Sequence, residues 1–150
     1  MYTKFILALI VLLAFSCSTK DTEIEDKKST TNEITNPNGM SEMSLIMEDW
    51  YTSMKAISVN LNEGKLCNEI STIEEEKIFK AKTSKENIHG KEFDAFVENF
   101  FFNYKEISKA STVSAQVDQF NLTVKSCINC HEQFCHGPIV RIRKLTVKTN

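Results

Sequence analysis

From residue 40 onward, apolar side chains recur in steps of three and four, and that spacing commits the chain to helices. Met43, Met47, Trp50, Met54, Ile57 and Leu61 form one stripe over 40–61. Ser41 is the expected N-cap, with Glu42 at the positive end of the helix. Past the turn Asn62-Glu63-Gly64, the weaker stripe Leu66, Ile70, Ile73 and Lys77, shored up by Ile78 and Phe79, predicts a second helix ending before 87–90. A third starts near Lys91 and presents Phe93, Phe96, Val97, Phe100, Tyr104 and Ile107. Phe100, Phe101 and Phe102 cannot all face one core, so one is expected against an end loop or a partner, a homodimer being compatible with this. Thr112 can cap a fourth helix carrying Val113, Val117, Phe120, Val124, Cys127, His131 and Phe134. Four amphipathic helices with short connections predict an all-α fold, an antiparallel up-down four-helix bundle. With 4 Gly and 2 Pro, a turn-rich β-sandwich or a glycine-loop nucleotide fold is disfavoured.

The segment before this pattern reads as an export signal and a tether. Lys4 precedes an apolar run over 5–15, too short to span a bilayer and suited to a signal-peptide core. Leu13-Ala14-Phe15-Ser16-Cys17 resembles a bacterial lipoprotein signal, in which cleavage exposes a cysteine for lipidation. The residues that follow are polar and lack a core-sized apolar cluster. The expected organisation is therefore a signal peptide at 1–16, a lipidated N-terminus and flexible tether at 17–39, a helical domain at 40–136 and a basic tail at 137–150. This places the domain on the periplasmic side of a bacterial membrane, anchored through Cys17. The whole chain holds 18 Lys+Arg against 20 Asp+Glu, which gives no reason to expect nucleic acid as a partner.

The chemistry is concentrated in Cys127-Ile128-Asn129-Cys130-His131. In an exported chain CxxCH is the attachment sequence of haem c: two thiols add to vinyl groups and the histidine ligates iron. On a helix Cys127, Cys130 and His131 lie within one turn of each other and share a face with Phe134. Three other readings compete. A thiol-disulfide site would need a βαβ surround that the pattern lacks. A zinc site can draw on Cys127, Cys130, His131, Cys135 and His136, although tetrahedral sites normally take ligands from two arms. A structural disulfide within the motif is the third. No Ser-His-Asp pattern, catalytic carboxylate pair or phosphate loop is present, so the chain is not expected to be an enzyme, and Glu74-Glu75-Glu76 reads as a solvated helix face.

With the motif late in the chain, residues 40–145 resemble the four-helix-bundle cytochrome c family, that of cytochrome c′ and its low-spin c556-like relatives. More closely they resemble an exported, lipoprotein-like bacterial branch. The resemblance rests on Met43-Ser44-Leu45-Ile46-Met47, on Val124-Lys125-Ser126-Cys127-Ile128-Asn129-Cys130-His131-Glu132-Gln133-Phe134-Cys135, and on the tail opened by Gly137-Pro138-Ile139. It implies a mono-haem one-electron carrier working with a redox partner protein. It also implies a sixth ligand drawn from the first helix in the low-spin members, for which Met47 corresponds best and Met43 second. High-spin members leave that site empty, which implies the alternative of a five-coordinate protein that binds a diatomic gas.

Alternating helix directions bring the start of the first helix and the end of the fourth to the same end. His131 then sits about 6 Å from that end, and Met43 and Met47 sit about 4.5 and 10 Å from it. The expected axial pair is His131 and Met47, with Trp50 one turn deeper and Phe134 beside the macrocycle. His89, before the third helix, also reaches this end and is a third candidate. Cys67 falls at the opposite end from Cys135, beyond the roughly 7 Å that a disulfide allows. The tail of Ile139, Val140, Arg141, Ile142, Arg143 and Lys144 either lies over the haem edge, its cations offsetting propionates, or forms a solvated surface strand. The remaining alternative is a helical lipoprotein stabilised by zinc or a disulfide.

Overall fold

The structure, a computed structural model, describes residues 39–84 and 88–148. The signal and nearly all of the tether expected from the sequence lie outside them. Three long helices carry the architecture: α1 Glu42–Asn62, α3 Lys91–Ile107 and α4 Val113–Phe134. Two short ones, α2 Glu75–Ile78 and α5 Ile139–Arg143, complete the set, and the described residues contain no strand.

The long helices begin where their caps are. Ser41 Oγ accepts from the Ser44 amide at 3.2 Å, and Thr112 Oγ1 accepts from the Ala115 amide at 3.2 Å, each satisfying an otherwise orphaned first-turn N–H. Gly64, at φ 72°, ends α1 in a conformation that a Cβ would strain. Helices α3 and α4 run antiparallel. Asn103 donates to Ser126 Oγ at 2.9 Å and accepts from Gln119 Nε2 on its carbonyl at 3.1 Å, while Phe93, three turns earlier, meets Phe134 edge-on at 5.8 Å. Helix α1 runs alongside α3 in the same direction, with Trp50 stacked on Phe100 at 4.9 Å. Trp50 also meets Phe101 edge-on at 4.9 Å. That explains how two consecutive phenylalanines are both buried, while Phe102 is the one turned out, at 65% exposure.

These findings correct the antiparallel up-down four-helix bundle. The all-α class stands, but the described residues form five helices instead of four, and the second long helix does not form among them. Its stripe is weak: Leu66, Ile70 and Ile73 give way to Lys77, and Asn68, Ser71 and Thr72, which are poor helix formers, interrupt it. Leu66, predicted to face the core, is 45% exposed, and Cys67, Ile78 and Ala81 are buried in its place. Side chains from the other helices satisfy the backbone of this segment. Gln116 accepts from the Cys67 amide at 2.7 Å and donates to the Cys67 carbonyl at 3.3 Å, and Tyr104 donates to the Ser71 carbonyl at 2.8 Å. The segment returns to the start of α1, where the Met43 amide donates to the Lys82 carbonyl at 3.0 Å.

The C-terminal tail is not a solvated strand: it forms α5 and then docks through its apolar residues, with its cations left exposed. After α5, Leu145 and Val147 are buried together with Ile142. Ser58 on α1 donates to the Leu145 carbonyl at 2.9 Å, and Asn121 on α4 brackets Val147 with bonds of 2.9 and 3.0 Å. The tail thus joins α1 to α4.

Candidate functional site

Helix α4 presents Cys127, Cys130 and His131 toward α1 near its C-terminal end. Burial pushes the Cys127 thiol up to about 12, with Cys130 beside it adding to the shift, and burial takes Cys130 up to about 11. Both are neutral thiols at neutral pH, and Cys67, Cys127, Cys130 and Cys135 are all free. This environment is opposite to the electropositive one that activates a redox dithiol. His131 has its imidazole held below the ordinary range by burial, opposed in part by a hydrogen bond to Cys135. Its Nδ1 lies 2.9 Å from the Cys135 carbonyl. A carbonyl only accepts, so Nδ1 carries the proton and the neutral ring keeps a lone pair on Nε2.

Three cavities of about 270, 80 and 30 Å³ share walls around this face. Among the described residues, Met47 and His131 are the two that line all three. Cys127 opens onto the two smaller ones, and Cys130 onto the largest and the smallest. Met43 and Phe134 line the largest, whereas Trp50 lines the two smaller. Every residue singled out for the site, Cys127, Cys130, His131, Met43, Met47, Trp50 and Phe134, therefore reaches the same cluster of cavities. Met54, placed too deep from helix length alone, lines the 80 Å³ cavity as well. His89 lines none of them. Its Nε2 is 2.8 Å from the Ala81 carbonyl, and its ring meets Phe93 edge-on at 5.4 Å.

The sequence reading missed a polar clasp at the rim. Arg141 on α5 binds Glu48 on α1 with both terminal guanidinium nitrogens, at 2.5 and 2.8 Å, and lies 3.7 Å from the centre of the Tyr51 ring. The guanidinium holds the Glu48 carboxyl below its usual range. Glu48, Tyr51 and Arg141 all line the 80 Å³ cavity. The only signal in the sequence was the cationic tail, and a partner 93 residues away leaves no local pattern.

The donor set fits a covalently held haem in kind: two thiols and an oriented neutral imidazole on one helix, a thioether on another, and apolar walls. None of the three cavities taken singly reaches the roughly 300–1,000 Å³ of a typical ligand pocket, and side chains divide them from one another. A large planar guest therefore has to displace side chains, and Met47, unbranched and adaptable, sits where they must move. Among the described residues no group of three or more His, Cys, Asp and Glu is placed to hold a metal ion. The rival zinc reading, on Cys127, Cys130, His131, Cys135 and His136, and the general expectation of a metal-binding protein therefore find no such cluster among the described residues.

No family model, no curated protein and no solved structure matches the chain. Together with the five helices of the described residues, this overturns the resemblance to the four-helix-bundle cytochrome c family and the haem label which that family lent. What the CxxCH residues do has to rest on their own chemistry.

Proposed function

We propose that the chain carries one haem, joined through thioethers to Cys127 and Cys130 and ligated by His131, and that it transfers single electrons outside the cytoplasm. The observation that carries this reading is the convergence of both motif cysteines, His131 and Met47 on one cluster of mainly apolar cavities. When bound, the haem supplies the ferric/ferrous couple. The Cys135 carbonyl fixes the His131 ring and its tautomer, which leaves Nε2 as the donor. Met47 offers a soft thioether from α1, a ligand type that favours the ferrous state over a second imidazole. Trp50 and Phe100 exclude water from the deep side.

The export reading supports the same function. Haem attachment to CxxCH and a lipid anchor at Cys17 both belong outside the cytoplasm, and no helix among the described residues is long and apolar enough to cross a membrane. Docking with a redox partner protein would complete the electron path. The test is production in cells equipped for haem attachment. Intact mass should exceed the processed polypeptide by one haem, and the colour should survive acid-acetone extraction. A colourless product of polypeptide mass would refute the proposal. The cavity of about 270 Å³ beside His131 favours one second reading, a five-coordinate haem that binds a diatomic gas; carbon monoxide uptake without displacement of a ligand would select it.

A further inference from the structure

The Arg141–Glu48 clasp lies next to the proposed ligand Met47 and is built from two ends of the chain. Glu48 immediately follows Met47 and lines both the 270 and the 80 Å³ cavities. A lone carboxylate at that place would favour ferric over ferrous iron, because the oxidised centre carries one more positive charge. Arg141 cancels it with two parallel hydrogen bonds, the geometry a guanidinium makes and an ammonium cannot. The Tyr51 ring at 3.7 Å supports the guanidinium plane. Arg141 belongs to a tail whose other fastenings, Ser58 to Leu145 and Asn121 to Val147, lie further along α1 and α4.

Resting on the haem reading above, we propose that Arg141 is a positioning residue which neutralises Glu48 and so sets the reduction potential of the site. The partner chemistry is internal: a guanidinium for one carboxylate in the wall of the cavities that His131 lines.

The experiment uses the full-length haem protein and four variants: Arg141→Gln, Glu48→Gln, the double substitution, and Ser58→Ala, which loosens the tail elsewhere. At fixed solution potential, Arg141→Gln should raise the ferric/ferrous ratio about three- to tenfold, the value of one screened charge near a protein surface. Glu48→Gln should lower the ratio, the double variant should return close to the parent, and Ser58→Ala should leave it unchanged. A second measurement uses the haem-free chain, in which urea unfolding of the same four proteins should show non-additive coupling between positions 48 and 141. If Ser58→Ala shifts the ratio as much as Arg141→Gln, or if the two clasp variants move it in the same direction, the proposal is overturned while the haem reading stands. A chain that takes up no haem overturns both, and absence of coupling in the haem-free chain overturns the clasp alone.

Discussion

Replacing Gln116 tests why the second helix is missing. Gln116 is 0% exposed, and its amide serves three backbone groups: the Cys67 N–H at 2.7 Å, the Ala110 carbonyl at 3.1 Å and the Cys67 carbonyl at 3.3 Å. Gln116→Ala leaves these groups without their partner in a site closed to water. A buried group deprived of its partner costs about 1–3 kcal/mol. Because the third bond is long, a total of about 3–5 kcal/mol is expected, a large part of the roughly 5–15 kcal/mol that holds an ordinary domain together. Gln116→Leu, which keeps volume and removes only the polar atoms, should cost most of the same amount. Urea unfolding gives the free energy. Alkylation of Cys67, followed site by site by mass spectrometry, reports whether 65–74 has come away, and should speed up well before global unfolding. If Gln116→Ala costs less than about 1 kcal/mol and Cys67 stays as unreactive as in the parent, the segment is held by something other than this amide, and the reasoning fails.

In the haem-loaded protein, Met47→Ala should abolish a thioether-to-ferric-iron charge-transfer band and lower the potential while the haem stays attached; loss of that band with Met43→Ala alone would move the ligand one turn toward the start of α1. Tyr104, 3% exposed, has its hydroxyl pushed by burial from 10.0 to about 12. Its contribution is complete below the unfolded value near 10 and is lost as pH rises through about 12, so the urea midpoint should fall across that window by the equivalent of about 1–2 kcal/mol, and Tyr104→Phe should flatten the fall. Cys17→Ala should release the protein from the membrane fraction without changing its absorption spectrum, whereas continued membrane association would point to another anchor.

The three long helices were legible because their causes are local. Ser41 and Thr112 cap the amides a few residues ahead of them, and a stripe such as Met43 to Leu61 marks one face wherever the helix packs. The alignment of Cys127, Cys130 and His131 was legible for the same reason, since one turn separates them. The path of 63–90 was not. Its weak stripe competes with side chains that are distant in sequence, and Gln116 and Tyr104, which take its backbone groups, resemble ordinary helix residues until α3 and α4 are packed. The tail stayed open between a cover over the site and a surface strand, because alternating apolar and basic residues suit both, while Ser58 and Asn121, whose bonds accompany the burial of Leu145 and Val147, are distant in sequence. Sequence alone therefore determined which segments are helical by themselves and which face of α4 carries the thiols. Tertiary packing decided what closes the gaps between them, that Met47 shares its cavities with His131, and that Arg141 meets Glu48, because those outcomes depend on groups brought together only when the chain folds.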